Sequence, residues 1–355
     1  MSLKKLQSLG LILLVIAASS CKKEDETSIL PSLDGSLSFS VPAYVYPGAE
    51  LTMTPKGVEH PDNEGVGYYW KVTPTMAKND TTRFVNGLDK NGNPSDGTFT
   101  FVVPDTLQTY TATGYAFAEG YSYTSKTIEF TAVRGGINGS ITDSGVSESS
   151  PSVTINGTKY YYTTIGGKDW LSRNVADQSA GAPYFNANAM NDVFGGYYTY
   201  SEALKVCPEG WSLPTDADWI AMAKELGSDV TEEYSTLPGI ASKIMGNAYF
   251  NGDLMWEYWP EVGEITNASG FSAIPAGYGM LGVANESPKE NEFYSYRYPQ
   301  AIFKGINEYA AFWTADAVAD EEGMAYYRYI ICNQPDIMIA KGDAVSFGAS
   351  VRCVR

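Results

Sequence analysis

The sequence predicts two folded regions behind a secretory segment: an all-β sandwich, followed by an α+β domain. Apolar residues alternate with polar ones through the first third of the chain, whereas strong helix start signals appear only beyond residue 200. The 355 residues fit two domains of roughly 100–200 residues each. Hydrophobic residues make up 44% and charged residues 18%, a composition that can bury cores and excludes a disordered chain.

The charge balance and the histidine count exclude several function classes. Lys and Arg total 24 against 41 Asp and Glu, a net charge of −17. Such a surface repels phosphate backbones, so we expect no nucleic-acid partner. His60 is the one histidine, which excludes multi-histidine zinc sites and most general-base histidines. It lies in a loop beside carboxylates, where we expect a solvated side chain without a functional role. We expect neither a metal nor a cofactor.

Residues 1–20 have the pattern of a secretory signal. Lys4 and Lys5 precede an apolar run of ten residues, Leu9–Ala18. This run is too short to span a bilayer, for which a helix needs about 20 residues. Small residues and then Cys21 follow, which resembles a bacterial lipobox. The resemblance implies cleavage before Cys21, acylation of its sulfur and a membrane tether; the alternative is an ordinary signal peptide with a coincidental cysteine.

Residues 21–32 are predicted to be an acidic tether. The run Lys22–Glu26 resembles the tag that directs lipoproteins of the Bacteroidota type to the outer face of the outer membrane. The resemblance implies a protein anchored in the cell outer membrane and facing the extracellular side. A plain solvated tether is the alternative, and the two are compatible.

Residues 33–134 carry the pattern of an antiparallel sandwich, because short period-two runs are separated by Gly, Pro and Asn turns. Trp70 and the segment around Tyr110 resemble the core tryptophan and the tyrosine corner of immunoglobulin-like domains. No cysteine lies between residues 22 and 206, so packing alone must hold this region together. The Gly- and Ser-rich residues 135–151 are predicted to be a linker.

Two helices are predicted within residues 152–355. Ser201 is a good N-cap for a helix that runs to Cys207 and stops at the following Pro-Glu-Gly. Thr215 caps the second helix, and Gly227 supplies its left-handed exit residue. This second helix has one apolar stripe, made of Trp219, Met222, Ala223 and Leu226. Beyond it the pattern predicts short aromatic strands.

Several motifs of this region, taken in order, resemble the Fibrobacter succinogenes major paralogous domain. They are Lys168–Val175, Tyr197–Thr215, Gly270–Tyr278, Phe312–Thr314 and Ser350–Cys353. The family is known mainly as a secreted or lipid-anchored module without an assigned activity. The segment Leu213–Trp219 also resembles formylglycine-generating enzymes, which share the C-type-lectin-like fold. The resemblance implies that fold for residues 152–355: two helices beside a twisted antiparallel sheet, with long loops.

The same resemblance implies a disulfide bond. With Cys21 acylated, three cysteines remain in an oxidising compartment. C-type-lectin-like domains join a helix-end cysteine to one in the last strand, which here are Cys207 and Cys353. Cys332 is then the odd thiol, and the apolar residues before it predict a buried, inert position.

Aromatic clusters supply the candidate ligand-binding residues. One cluster is Trp256, Tyr258 and Trp259, and the other is Tyr294, Tyr296 and Tyr298. Both lie in segments predicted to be loops, although the second alternates and also fits a strand. Exposed rings stack on sugar faces or anchor protein contacts. The alternative is that these rings pack the loops onto a small core.

These features predict a non-catalytic, surface-anchored binding head for a glycan or a protein. The alternative is a structural or assembly component that contacts another envelope protein. A divergent enzyme on the formylglycine-generating fold is disfavoured, because that chemistry uses a close cysteine pair that binds copper, whereas Cys332 and Cys353 lie 21 residues apart and Cys353 is needed for the disulfide.

Overall fold

The computed structural model describes residues 30–76, 82–85, 87–89, 91–134, 141–142, 149–177, 179–256, 262–284 and 297–355. The predicted signal segment and Cys21 lie outside these ranges. The described chain is mostly β, with open sheets and short helices. Within the described ranges no helix is both long enough and apolar enough to cross a membrane.

The described residues of the amino-terminal region, which spans 30–134, form nine strands. They are β1 (Asp34–Ser38), β2 (Tyr44–Val45), β3 (Glu50–Met53), β4 (Lys56–Glu59), β5 (Gly67–Thr73), β6 (Thr82–Phe84), β7 (Phe99–Val102), β8 (Thr109–Phe117) and β9 (Thr124–Ala132). Five of them form one sheet in the order β2-β9-β8-β5-β6. The pairs β1-β4 and β3-β7 form two smaller sheets.

The core of this region lies between the five-stranded sheet and the smaller sheets, as in a β-sandwich. Strands β5 and β8 bury alternate residues because side chains alternate between the two faces of a strand. Trp70 sits at the centre, and its indole nitrogen donates to the carbonyl oxygen of Gly97 at 2.8 Å. The Tyr110 hydroxyl donates to the carbonyl oxygen of Thr106 at 3.1 Å, four residues upstream.

The carboxyl-terminal region, residues 149–355, combines short strands with four α-helices among its described residues. Its strands are β11 (Ser152–Ile155), β12 (Thr158–Ile165), β13 (Lys168–Leu171), β14 (Tyr249–Phe250), β15 (Asp253–Leu254), β16 (Tyr278–Met280), β17 (Ile302–Lys304), β18 (Tyr309–Ala317), β19 (Met324–Ile331), β20 (Met338–Asp343) and β21 (Phe347–Gly348); β10 (Ile141–Thr142) precedes them. The helices are α1 (Asn188–Phe194), α2 (Tyr200–Val206), α3 (Asp216–Glu225) and α4 (Ala241–Ile244), and a 3₁₀ turn covers Tyr184–Asn186.

Helices α2 and α3 are the two predicted ones, and their caps explain their positions. Helix α3 begins after Thr215, whose hydroxyl accepts from the Asp218 backbone N–H while the Asp218 carboxylate accepts from Thr215 in return. The predicted N-cap of α2 was wrong by two residues. Thr199 is the cap, because Glu202 at the third helical position completes a capping box with it.

The end of α3 has the Schellman geometry. Gly227 has φ +88, and its N–H donates to the Lys224 carbonyl while the next N–H, from Ser228, donates to the Ala223 carbonyl. Trp219, Met222 and Ala223 of the predicted α3 stripe are buried in one hydrophobic core together with Trp170 and Phe271, and Leu226 is half-buried against that core.

A three-stranded sheet, β18-β19-β20, separates two hydrophobic cores. Ala310 and Phe312 point into the core that holds α3, whereas Ala311 and Trp313 point into the core that holds Val206. This division follows from the period of two along β18.

The last residues of the chain pass through the middle of this architecture. Ala349 exchanges backbone hydrogen bonds with Tyr198, and Val354 exchanges them with Ser212. The N–H of Leu171 donates to the Cys353 carbonyl at 3.1 Å, so β13 is joined to the same segment. The terminal segment is therefore buried and connects elements from the whole carboxyl-terminal region.

The predicted disulfide is present. Cys207, at the C-cap of α2, is bonded to Cys353 across a sequence separation of 146 residues. Cys332 is buried and lies outside this bond, as predicted.

Direct contacts join the two regions. The Tyr46 hydroxyl donates to the Asp192 carboxylate at 2.7 Å, and Asn251 donates to the Ala132 carbonyl at 3.1 Å. Val133 is fully buried in a cluster with Met190 and other residues of the carboxyl-terminal region. Strand β10, within the predicted linker, pairs with β14. Part of the predicted linker is thus paired with the carboxyl-terminal region.

Candidate functional site

Two of the predicted ligand-binding rings are buried in the structure. Trp256 is 0% exposed and belongs to the core that holds α3. Tyr298 is 3% exposed and packs against Ala182, Tyr197 and Leu281. The prediction of exposed rings is wrong for these two residues, because each of them packs a chain segment onto the core. Tyr258, Trp259, Tyr294 and Tyr296 lie outside the described residues.

Tyr298 and its neighbour are held by the start of α2. The Arg297 guanidinium pairs with the Glu202 carboxylate at 2.6 Å. Glu202 also accepts from the Thr199 backbone N–H at 2.9 Å, so one carboxylate caps the helix and binds the arginine. Burial raises the pKa of the Tyr298 hydroxyl, and the negative charge of Glu202 adds to this rise. These contacts assign the pair a structural role.

One aromatic surface of the carboxyl-terminal region that stays partly accessible is a cluster of four half-buried tyrosines. It consists of Tyr278 on β16, Tyr309 on β18, and Tyr327 and Tyr329 on β19, and we call it the tyrosine face. The three strand positions on β18 and β19 share one face, because Trp313 pairs with Tyr327 and Ala311 pairs with Tyr329 in the antiparallel register. Phe347 closes the cluster from beneath, toward the core.

The rings of the tyrosine face are in mutual contact. Tyr309 and Tyr329 stack with centroids 4.9 Å apart and an interplanar angle of 13°. Tyr278 meets Tyr309 at 5.3 Å, and Tyr327 meets Tyr329 at 5.7 Å. Tyr327 also packs on Phe347 at 4.5 Å. Gly342 permits this approach, because a Cβ there would lie 2.7 Å from the Phe347 ring.

Two hydroxyl groups of the tyrosine face, those of Tyr309 and Tyr327, remain protonated at neutral pH. Burial raises the pKa of Tyr309 well above its ordinary value, and a hydrogen bond to Tyr327 adds to the rise. Burial also raises the pKa of Tyr327, although the same hydrogen bond opposes it. The cluster therefore presents apolar ring edges together with neutral hydroxyls that can donate and accept hydrogen bonds.

The opposite face of the same sheet contains a buried ion pair. Arg328 and Asp216 are both buried, and the guanidinium bonds the carboxylate through Nε and Nη2. The second Asp216 oxygen accepts from the Tyr234 backbone N–H at 2.7 Å. Because the charges are matched and hydrogen-bonded, this pair fixes α3 to the sheet.

Neither a cluster of metal ligands nor a histidine-based site is found among the described residues. No group of three or more His, Cys, Asp or Glu side chains there is arranged to hold a metal ion. His60 is 7% exposed, so the prediction of a solvated side chain was wrong. Its ring packs edge-on against Tyr121, and its Nδ1 accepts from the Asp62 N–H at 3.1 Å.

Comparison with known families decides the identity of the carboxyl-terminal region. Residues 163–355, more than half of the chain, match the Fibrobacter succinogenes major domain. The chain belongs to this family. The family prediction is thereby confirmed. A search of curated proteins found no match.

The terminal motif of this Fibrobacter succinogenes major domain is structural. Arg352 is 0% exposed, and its guanidinium donates to Asn174 Oδ1 at 2.7 Å and to the carbonyl oxygens of Leu171, Phe271 and Ser272. The cation also lies over the Phe271 ring at 4.5 Å. Arg352 thereby connects three of the motifs that carry the family resemblance.

The tyrosine face was not among the residues chosen from the sequence. Its members lie in strands of the family domain, whereas the rings predicted from the sequence were expected in loops. One signal was available: Tyr327 and Tyr329 alternate with the buried Arg328, which indicates a strand with one aromatic face. Tyr278 and Tyr309 lie on other strands, and they join the aromatic face of β19 only in the folded protein.

Proposed function

We propose that this chain is a surface-anchored lipoprotein whose family domain is a non-catalytic binding module for glycans. The tyrosine face carries the proposal: it offers packed aromatic rings on one half-buried sheet face, with neutral hydroxyls on Tyr309 and Tyr327. Sugars present C–H faces that stack on aromatic rings and hydroxyls that exchange hydrogen bonds with phenols. The cysteine after the secretory signal supplies the anchor, with the acidic tether directing it to the outer face of the outer membrane.

The architecture we propose is an immunoglobulin-like stalk and a C-type-lectin-like head. The Tyr110 hydroxyl bond to an upstream carbonyl and the core position of Trp70 support the first assignment. The disulfide from the end of α2 to the last segment of the chain supports the second. In this arrangement the stalk carries the tyrosine face away from the membrane.

A glycan array tests the binding function with the chain from residue 30 to residue 355, which contains all of the described structure. We expect Tyr329→Ala to weaken any glycan bound by the native protein by roughly tenfold or more, since it removes one ring of the stacked pair. Tyr249→Ala is the matched control, because Tyr249 is 40% exposed and lies outside the tyrosine face.

Three outcomes decide the proposal. Loss of binding in the Tyr329 variant alone, at an unchanged melting temperature, supports it. Equal binding by both variants contradicts the tyrosine face as the site. An empty array together with co-purification of an envelope protein favours the structural alternative. For the anchor, we expect a palmitate analogue to label the native chain and to leave Cys21→Ser unlabelled; an unlabelled native chain contradicts it.

A further inference from the structure

The amino-terminal region presents a second aromatic surface, on the outer face of its five-stranded sheet. In the antiparallel register Arg83 pairs with Tyr69, Tyr69 with Tyr115, and Tyr115 with Ser125. These four residues form a row across β6, β5, β8 and β9, on the face opposite the buried Trp70. With neighbouring strands about 4.8 Å apart, the row is roughly 14 Å long.

The rings around this row form a continuous group. Tyr69 and Tyr115 stack at 4.2 Å with an interplanar angle of 8°. Tyr123 packs on Tyr115 at 5.9 Å and is 65% exposed. Phe117 lies 6.0 Å from Tyr69. We call this set, with Arg83, the stalk aromatic row.

The rest of the same face is built differently. The hydroxyls of Thr109 and Thr131 are hydrogen-bonded at 2.9 Å, and those of Thr113 and Thr127 are hydrogen-bonded at 3.1 Å. Such threonine pairs are an ordinary covering for a solvent-facing sheet. The aromatic residues are confined to one end and lie outside the main core of the sandwich, so core packing does not account for them.

The stalk aromatic row carries positive charge in a strongly acidic protein. The Arg83 guanidinium lies over the Phe117 ring at 4.7 Å, and no carboxylate of the described residues pairs with it. Lys71 lies on the same face, because it pairs with Thr113 two positions along from Tyr69. Arg83 also opposes the rise that burial causes in the pKa of Tyr69, while Tyr115 and Tyr123 add to that rise. Arg83 and Lys71 therefore place two cations beside the rings, and Glu129, opposite Thr111, lies farther along the same face.

From this placement we infer that the stalk aromatic row binds an acidic oligosaccharide of the uronic acid type. The rings stack against the sugar faces, and the planar guanidinium of Arg83 binds a sugar carboxylate through two parallel hydrogen bonds. Lys71 adds a second positive charge along the path of the bound oligosaccharide. This site lies outside the family domain and does not depend on the tyrosine face.

Isothermal titration with trigalacturonic acid and its fully methyl-esterified counterpart tests the inference on residues 30–355. We expect the acid to bind and the ester to bind at least about tenfold more weakly, because esterification removes the charge that Arg83 pairs with. Arg83→Gln should weaken binding of the acid roughly tenfold, and Tyr123→Ala roughly threefold to tenfold. Raising the ionic strength from about 20 mM to about 500 mM should weaken it further.

Two matched controls isolate the site. Lys126→Gln removes one exposed cation from β9. Lys126 pairs with Gly114 and therefore lies on the other face of the sheet. This variant should bind trigalacturonate as tightly as the native chain does. Tyr329→Ala should also bind trigalacturonate normally, which separates this site from the tyrosine face. Three results would each overturn the inference. The native chain does not bind trigalacturonate, it binds acid and ester with equal affinity, or Arg83→Gln binds the acid as tightly as the native chain does at an unchanged melting temperature.

Discussion

At the residue scale, two buried arginines differ in how their charge is matched. Arg328 faces the carboxylate of Asp216, whereas the four bonds from Arg352 described above end on neutral oxygens. A buried cation is tolerated when its donors are satisfied, and the fixed fork of a guanidinium can satisfy several acceptors at once. An ammonium group is a compact point charge with three donors and cannot reach the same set of oxygens.

We therefore expect Arg352→Lys to destabilise the protein by about 3–5 kcal/mol, although the charge is kept. Urea denaturation measures the change. Arg355→Lys is the control, because the Arg355 side chain is 44% exposed and its pairing with Asp169 lies at the surface. Its effect should stay below about 1 kcal/mol. Equal losses from the two substitutions would contradict a structural role specific to Arg352.

At the element scale, the disulfide joins the end of α2 to the terminal segment across 146 residues of sequence. Its main effect is expected on the unfolded chain, whose conformational freedom the closed loop restricts. For a loop of this length the chain-entropy estimate is about 5 kcal/mol, before any cost within the native state.

Replacing both cysteines, Cys207→Ser with Cys353→Ser, should lower the free energy of unfolding by about 4–5 kcal/mol. Guanidinium titration with and without reductant measures it, and reductant should no longer change the midpoint in the double variant. Cys332→Ala is the control and should leave a reductant-sensitive midpoint. A peptide map in which Cys332 is crosslinked would contradict the pairing.

Elements with local signals could be predicted, and those formed by packing could not. Helix α3 could be predicted because Thr215 caps its start, its apolar residues repeat on one face and Gly227 follows its end. Helix α1 has Ala187 at its N-cap and no side-chain cap bond, so it depends on burial of residues such as Met190 and Phe194. The tyrosine face likewise depends on strand register, which one sequence does not reveal.

The prediction of exposed rings failed at Trp256 and Tyr298 for a related reason. Trp256 and Tyr298 lie in segments without regular secondary structure, and such segments were expected to carry their aromatics outward. A chain with few helices and many long connections needs large side chains to fill the space beneath those connections. Both rings do so here.

At the scale of the whole molecule, the two regions meet through an interface of aromatic and apolar residues. Tyr46 donates to Asp192, and Tyr44 contacts Tyr184 at 5.7 Å. Burial raises the pKa of Tyr46, and its bond to the Asp192 carboxylate raises it further. The phenol is therefore held in its neutral form in the folded protein.

Tyr46→Phe should cost about 2 kcal/mol at pH 7, since it leaves a partly buried carboxylate without its donor. A tyrosine with a raised folded pKa contributes stability that is fully present below its unfolded pKa, about 10, and is lost as the pH rises through the folded value. The difference between the native chain and the variant should thus shrink above about pH 10. Calorimetry across pH measures it.

Tyr123→Phe is the control for this prediction, because Tyr123 is an exposed tyrosine of the same region. It should leave the melting temperature at pH 7 unchanged. If Tyr46→Phe also leaves it unchanged, the contact with Asp192 does not hold the two regions together.

The central position of the terminal segment has a consequence for the order in which the carboxyl-terminal region can fold. Arg352 and Cys353 supply the buried hydrogen-bond network and the disulfide, and both join elements that lie far away in the sequence. Strand β13 and helix α2 therefore complete their packing only after this segment has docked between them.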